Sequence, residues 1–333
     1  MKILVTGCYG FIGFNFLKKL IKEYKDEFEV TGIDLLNNSY SKLNYQQLNT
    51  GENFEFLSEN IIDINKINFK KNDFDLVINF AAESHVDTSI YNPDVFIQTN
   101  VLGVNNLLKF CLENSVKKYI QISTDEVYGS TRNHYFEETD ILNPSSPYSA
   151  SKASADMVCN AYMKTYDMDI KTIRPANNYG PFQQPEKLIP FSISNIIENN
   201  EVEIYGDGSN IRHWLYVKDT VEGIFKVIEK GESGEIYNIG SGIYHNNNEI
   251  AEKLLSKFNL SKNSIKYVKD RPGHDFKYAV NFDKLSNLGW SPKYDFENAL
   301  EETTEWYLEN KNWWSEGIAQ IRKNRDLRFN KKQ

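Results

Sequence analysis

Short apolar runs alternate with longer stretches of helical period through the first half of the chain, and that alternation sets the expected fold. Residues 2–6, Lys2-Ile3-Leu4-Val5-Thr6, form a β-branched apolar run. Gly7, Gly10 and Gly13 follow, and residues 14–24 then repeat apolar positions with helical spacing. Strand, glycine turn and helix are thus read in order. A second apolar run, Glu29-Val30-Thr31-Gly32-Ile33, ends on Asp34. Further strands are predicted at 75–80, 119–123 and 170–173, with helices between them that include 93–113 and 149–166. The fold class this predicts is α/β, a Rossmann-type doubly wound parallel sheet covered on both faces. Beyond Arg174 the chain becomes richer in Pro, Gly and Asn and the alternation fades. A smaller mixed α/β C-terminal substrate lobe is expected there. The boundaries are 1–175 for the sheet domain, with some later segments returning to it, 176–314 for the second lobe, and 315–333 for a C-terminal extension.

Polar residues collect at the predicted strand ends, where an open α/β sheet holds its ligand. Glycines at positions 7, 10 and 13 let backbone approach a pyrophosphate, whose charge meets amide donors and the positive end of a helix dipole. Asp34 lies about twenty residues beyond the last glycine, where a carboxylate accepts from an adenosine ribose and repels a 2′-phosphate. NAD rather than NADP is the expected cofactor, the plain alternative for Asp34 being a turn cap. Ala81 and Ala82 are small enough for close passage of a cofactor, and Ser84 is in reach of a substrate. His85 reads as a structural histidine.

The densest chemistry lies in Thr124-Asp125-Glu126 and Tyr148-Ser149-Ala150-Ser151-Lys152. Tyr148 and Lys152, four apart, share a helix face, so the ammonium can favour a phenolate that takes a proton from a sugar hydroxyl as hydride leaves the same carbon. Dehydration needs two more groups, one to remove a carbon-bound proton and one to protonate a departing hydroxyl. Asp125 and Glu126 supply two carboxyls whose protonation a shared site can drive apart. Taken alone they could equally be solvated loop carboxylates. In the second lobe Asn177, Lys187, Arg212, Asn247 and Arg271 offer cationic or amide donors suited to a diphosphate.

These motifs together resemble the extended short-chain dehydrogenase/reductases, NAD-dependent epimerases and dehydratases, and specifically the dTDP-glucose 4,6-dehydratases. The resemblance runs through Ala81 to Asp87, Ser123 to Gly129, Asn177 to Pro181, Pro185 to Pro190, Tyr205 to Gly208 and Arg271 to Asp275, reaching about Trp314. Related epimerases and glucuronate decarboxylases share the Tyr-Lys pair but lack the Asp-Glu pair. The resemblance implies that Tyr148 deprotonates the C4 hydroxyl with Thr124 bonded to the same oxygen, Glu126 removes the C5 proton, and Asp125 protonates the C6 hydroxyl. It implies cofactor contacts at Gly7, Gly10, Phe11, Ile12, Gly13, Asp34, Asn60, Ile61, Ala81, Ala82, Thr99, Tyr148, Lys152 and Asn178. Substrate contacts are implied at Ser84, Asn177, Lys187, Leu188, Tyr205, Arg212, Asn247, Arg271 and His274, with Tyr205 near the base. It also implies a homodimer formed through helices 93–113 and 149–166. UDP- or CDP-hexose dehydration, 4-epimerisation, and a catalytically inactive nucleotide-sugar binder stand as alternatives.

The chain departs from this pattern in places. Cys8-Tyr9 stand where Gly-Ala is usual, and Asn60 where an Asp is usual at the adenine end. His213, Thr220, Glu203 and Phe276 replace the usual Asp, His, Pro and Arg near the nucleotide and sugar. The 333 residues carry a formal charge of −8, which argues against nonspecific nucleic-acid binding. Three cysteines without metal-ligand spacing point to a reducing cytoplasm and no metal site. No apolar stretch is long enough to span a bilayer, and no signal peptide is expected. The extension holds Arg322, Lys323, Arg325, Arg328, Lys331 and Lys332, which suggests a solvated helix or frayed tail; Trp306, Trp313 and Trp314 read as packing residues.

Overall fold

A strand buried on both faces needs apolar side chains in both directions, and the first strand has them. In β1 (Lys2–Thr6), Ile3 and Val5 enter one core cluster while Leu4 enters the other. The structure is a computed structural model that describes residues 1–24, 26–48, 53–70 and 73–330. The strands that follow are β2 (Glu29–Asp34), β3 (Phe54–Ser58), β4 (Leu76–Asn79), β5 (Lys118–Ile122), β6 (Asp169–Pro175), β7 (Asn177–Tyr179), β8 (Val202–Tyr205), β9 (Ile211–Tyr216), β10 (Ile236–Ile239), β11 (Tyr244–Asn246) and β12 (Ile265–Val268). Among the described residues the main sheet has seven strands in the order β10-β6-β5-β4-β1-β2-β3, each pairing parallel. β10 is the late segment that returns to the first domain. The order reverses between β1 and β4, so the carboxyl ends of β1, β4 and β5 open onto the crevice where such sheets hold ligands.

Helices cover the main sheet or pack on the second lobe: α1 (Phe11–Glu23), α2 (Ser39–Gln47), α3 (Val86–Tyr91), α4 (Pro93–Phe96), α5 (Val104–Glu113), α6 (Pro147–Tyr166), α7 (Leu188–Ile197), α8 (Val217–Lys230), α9 (Asn247–Lys257), α10 (Asp283–Asn287), α11 (Phe296–Glu309) and α12 (Lys311–Asn330). The second lobe is built on β11-β9-β7, with β11 antiparallel to β9, and on the parallel pair β12-β8.

Two elements differ from the sequence pattern. The helix expected over 93–113 is continuous but widens into a π-helix at Ile97–Gly103. There Asn100 turns its amide onto Glu83 and the Ser151 hydroxyl, and Gly103 lies so close to Ile61 that an added Cβ would sit 2.7 Å from Ile61 Cδ1. The C-terminal extension is not a frayed tail over its described length. α12 buries Trp313, Trp314 and Ile318, and Trp306 packs on Phe182. Trp313 Nε1 donates to Asn44 Oδ1 on α2 (2.8 Å), whereas Arg322 donates to Asn195 Oδ1 (2.8 and 3.0 Å) and pairs with Glu198 beside α7. The helix thus braces the sheet domain against the second lobe; Lys331 and Lys332 lie outside the described residues.

Candidate active site

The glycine loop is shaped by what it must pass. Gly7 has φ +66°, and a Cβ there would lie 2.5 Å from Ala81 N; a Cβ on Gly13 would lie 2.2 Å from Gly7 O. The unusual Cys8-Tyr9 pair is accommodated by turning inward. Both are buried, and Tyr9 donates to Leu48 O (2.6 Å) with its ring edge on Tyr45 and Phe56. The mouth of the loop stays open. Gly10, the N-cap of α1, provides no side-chain cap, which leaves first-turn amides to face a cleft of about 380 Å³. Gly7, Gly10, Phe11, Ile12, Gly13, Asp34, Asn60, Ile61, Ala81, Ala82, Thr99, Tyr148 and Lys152 all line it. Asp34 joins both readings made of it: it accepts from Tyr9 N (3.0 Å) and Leu36 N (3.2 Å) while facing the cleft. Burial pushes its carboxyl up, opposed by those amides. Asn60 likewise caps the following 3-10 turn through Ile62 N (2.9 Å) and faces the cleft. A glycine-lined cleft with helix-end donors at its centre and the Asp34 carboxyl along one wall fits a dinucleotide. Asn178 lies elsewhere: it lines the adjoining cavity, its amide donating to Ala176 O (2.9 Å) and accepting from the Thr220 hydroxyl (2.5 Å).

That second cavity, about 260 Å³, shares Phe11, Ile12, Ser84, Ser123 and Tyr148 with the first, so the two meet at the phenol. Local sequence fixes the expected catalytic groups there. Ser146 and Ser149 form a capping box and Pro147 opens α6, which places Tyr148 in the first turn and Lys152 one turn on. Thr124 caps the short turn Asp125–Tyr128, its hydroxyl accepting from Glu126 N (3.3 Å). Behind this turn Arg174 bonds Tyr128 OH (2.7 Å) and Asp156 (2.9 Å) in the interior.

The two carboxyls occupy unlike places. Glu126 lines the second cavity beside Thr124 and Tyr148. Asp125, 1% exposed, sits behind them, with its Oδ2 buried and without a hydrogen-bond partner. Burial and then the charge of Glu126 push the Asp125 carboxyl well up, which favours its protonated form. The expectation for Lys152 is only partly met. Burial lowers its ammonium to about 8 against the pull of Asp156, and it donates to Ile122 O (2.6 Å). Burial and Glu126 meanwhile raise the Tyr148 phenol, with Thr124 acting in the opposite sense. In this geometry the phenol is protonated, because desolvation of the anion outweighs its hydrogen bond.

Ser84, Asn177, Lys187, Leu188, Tyr205, Arg212, Asn247, Arg271 and His274 also line the second cavity. Lys187 reaches across to Ser84 O (2.8 Å), and Arg212 lies over the Tyr278 ring while donating to Asp275 O (3.1 Å). Burial and the nearby Arg271 and Arg212 lower His274 to about 4. Two residues of the cavity, Asp87 and Arg325, went unassigned in the sequence, while His85 is structural as read there. Asp87 accepts from Arg271 (3.0 Å) and from Tyr205 OH (2.7 Å), a signal available in its place two residues after His85. His85 is the N-cap of α3, accepting from Thr88 N (3.3 Å). Arg325 enters the cavity from α12, and no spacing in the sequence announces it.

Of the four departures near the substrate lobe, Glu203 alone lines the described cavity. His213 is buried behind it, stacked on Tyr244, with Nε2 accepting from Ser241 N and Gly242 N (both 2.8 Å). It takes over the acceptor role a carboxylate would have, and burial, aided by Lys277, lowers the ring to about 3 and keeps it neutral.

A family model described as GDP-mannose 4,6 dehydratase matches residues 4–303. The chain belongs to that family. Within it, the low-salt glycan biosynthesis protein Agl12 of Haloferax volcanii is 42% identical over 308 residues, 92% of this chain and 99% of the relative. The dTDP-glucose 4,6-dehydratase of Escherichia coli is 39% identical, with 94% of each chain covered. Among solved structures, DesIV, a dTDP-glucose 4,6-dehydratase from Streptomyces venezuelae with NAD and TYD bound, superposes with a TM-score of 0.91 at 39% identity, covering 95% of this chain and 99% of that one. Membership in the family accounts for the Rossmann-like sheet and the mixed second lobe together.

Proposed function

We propose that the protein is an NAD-dependent 4,6-dehydratase of a nucleoside-diphosphate glucose, with dTDP-glucose as its substrate and the 4-keto-6-deoxy sugar as product. The observation that carries this reading is the pairing of two buried carboxyls in unlike places: Glu126 lines the cavity and Asp125, its carboxyl pushed well up by burial, lies behind it, both beside Tyr148. An epimerase has use for the phenol but not for this pair.

Gly7 to Gly13, Asp34, Asn60, Ala81, Thr99 and Lys152 would hold NAD, which when bound would supply a reversible hydride acceptor beside Tyr148. To act as the base Tyr148 must first give up its own proton, which the positive charge of a bound nicotinamide would favour; as phenolate it would take the C4 hydroxyl proton while Thr124 bonds the same oxygen. The resulting ketone acidifies the C5 hydrogen, which Glu126 removes. The resemblance gives the proton for the departing C6 hydroxyl to Asp125, whose carboxyl is pushed up by burial and which would have to turn forward from behind the cavity wall to deliver it. Lys152 steadies the cofactor ribose and lowers the cost of charge on Tyr148. Lys187, Arg212, Asn177, Asn247 and Arg271 bind the diphosphate, and Tyr205 marks the base end.

Incubation of the purified protein with dTDP-glucose, followed by mass spectrometry, should show loss of one water without net NADH; a product that keeps its C6 oxygen overturns the assignment. Turnover of UDP- or CDP-glucose in preference to dTDP-glucose would reassign the base. The large apolar residues Tyr91, Ile97, Leu102 and Met157 stand exposed on α3, the π-helical turn and α6. A homodimer through these helices buries them. Cys8, Cys111 and Cys159 are free and buried, which suits a reducing cytoplasm, and among the described residues no helix is long and apolar enough to cross a membrane.

A further inference from the structure

Beyond the residues matched by the family, α12 carries one cation into the nucleotide end of the cavity. Arg325 is 7% exposed and lines the cavity with Phe191, Glu203 and Tyr205. Its guanidinium carbon lies 4.2 Å from the Phe191 ring centroid and 4.8 Å from that of Tyr205. Nη2 is 3.5 Å from Glu203 Oε2, and Nε is buried without a hydrogen-bond partner. A donor in that condition lacks an acceptor that a ligand can bring.

We infer that Arg325 is a base-recognition residue, acting with Glu203 on the edge of a 2,4-dioxopyrimidine. The inference rests on the nucleotide-sugar reading above and deepens it by naming the residues that would read the base. A guanidinium only donates and a carboxylate only accepts, so the pair presents donors beside an acceptor. The edge of thymine or uracil alternates carbonyl, N–H, carbonyl, and matches that arrangement. Cytosine sets a lone pair where the N–H would be, and Glu203 repels it. The two residues also depart together: Glu203 stands where the resemblance expects a proline, and Arg325 lies in the extension past residue 303. Trp313, Trp314, Ile318 and Arg322 anchor α12 independently, so the contact can be removed without removing the helix.

The test is calorimetric titration of the full chain with dTDP, CDP and inorganic pyrophosphate. Arg325→Ala should weaken dTDP about tenfold, leave pyrophosphate within about twofold, and shrink the preference for dTDP over CDP. The KM for dTDP-glucose should rise by a similar factor with kcat little changed. Unchanged dTDP affinity overturns the inference, as does an equal loss for dTDP and pyrophosphate, which a merely structural role would give. If Arg325→Ala does not fold, Arg325→Lys keeps the charge, loses the planar fork and should show about a threefold loss in the same titration. A wild type that binds dTDP through Arg325 yet forms no dehydrated sugar sinks the dehydratase reading alone. One that forms the sugar while the variant binds dTDP normally sinks this inference alone.

Discussion

At the scale of single residues, environment separates groups that the sequence presents as equals. Asp125 and Glu126 are adjacent and chemically alike, yet one lies behind the cavity wall and the other forms it. Glu126→Gln should therefore cut dehydration by at least about a thousandfold while C4 oxidation continues. Absorbance at 340 nm in single turnover checks this, since the variant should accumulate reduced cofactor. His213 makes a second case. Its folded value of about 3 lies below the unfolded value of roughly 6.5, so the unfolded chain takes up the proton first. The stability contributed by the neutral ring is complete above pH 6.5 and is lost as pH falls toward 3. Between pH 7.5 and 5 that loss is about 2 kcal/mol, and His213→Gln, which cannot titrate, should remove it from a pair of urea melts. The motif residues were legible because close backbone approach demands glycine and proton transfer demands particular groups. Arg325 was not, because its place depends on where a helix of the extension docks. The protonated state of Tyr148 was equally hidden, because burial outweighs the partner that spacing provides.

At the scale of elements, the turn bearing the carboxyls is held from beneath. Arg174 on β6 joins Asp156 on α6 to Tyr128 at the end of that turn, in the interior. Arg174→Met leaves the Asp156 charge without its partner and should cost about 3–5 kcal/mol in chemical denaturation. Asp156→Asn combined with Arg174→Met should recover part of that loss, because the stranded charge is gone. The strands were legible in the sequence since a parallel sheet buried on both faces requires unbroken apolar runs, as in β1 and β4. The π-helical turn was not. Its apolar spacing reads as an ordinary helix, and the widening follows from tertiary contacts, Gly103 against Ile61 and Asn100 against Glu83 and Ser151.

At the scale of the whole molecule, the proposed assembly and the proposed chemistry would share one helix, for α6 bears Tyr148 and Lys152 near its start and exposes Met157 farther along. Leu102→Glu with Met157→Glu should convert a species of twice the chain mass to one of the chain mass in light scattering behind size exclusion. The fading alternation after Arg174 falls just before the small sheets begin, and the return of some later segment to the main sheet was expected; that the segment is β10, and that α12 docks as it does, depend on contacts distant in sequence. α12 grips Asn44 on one half of the molecule and Asn195 on the other. A redox partner restored in every cycle needs no exit, and a brace across both halves hinders one: dinucleotide should survive extended dialysis with the protein, and should wash out once the chain is cut ahead of Trp313.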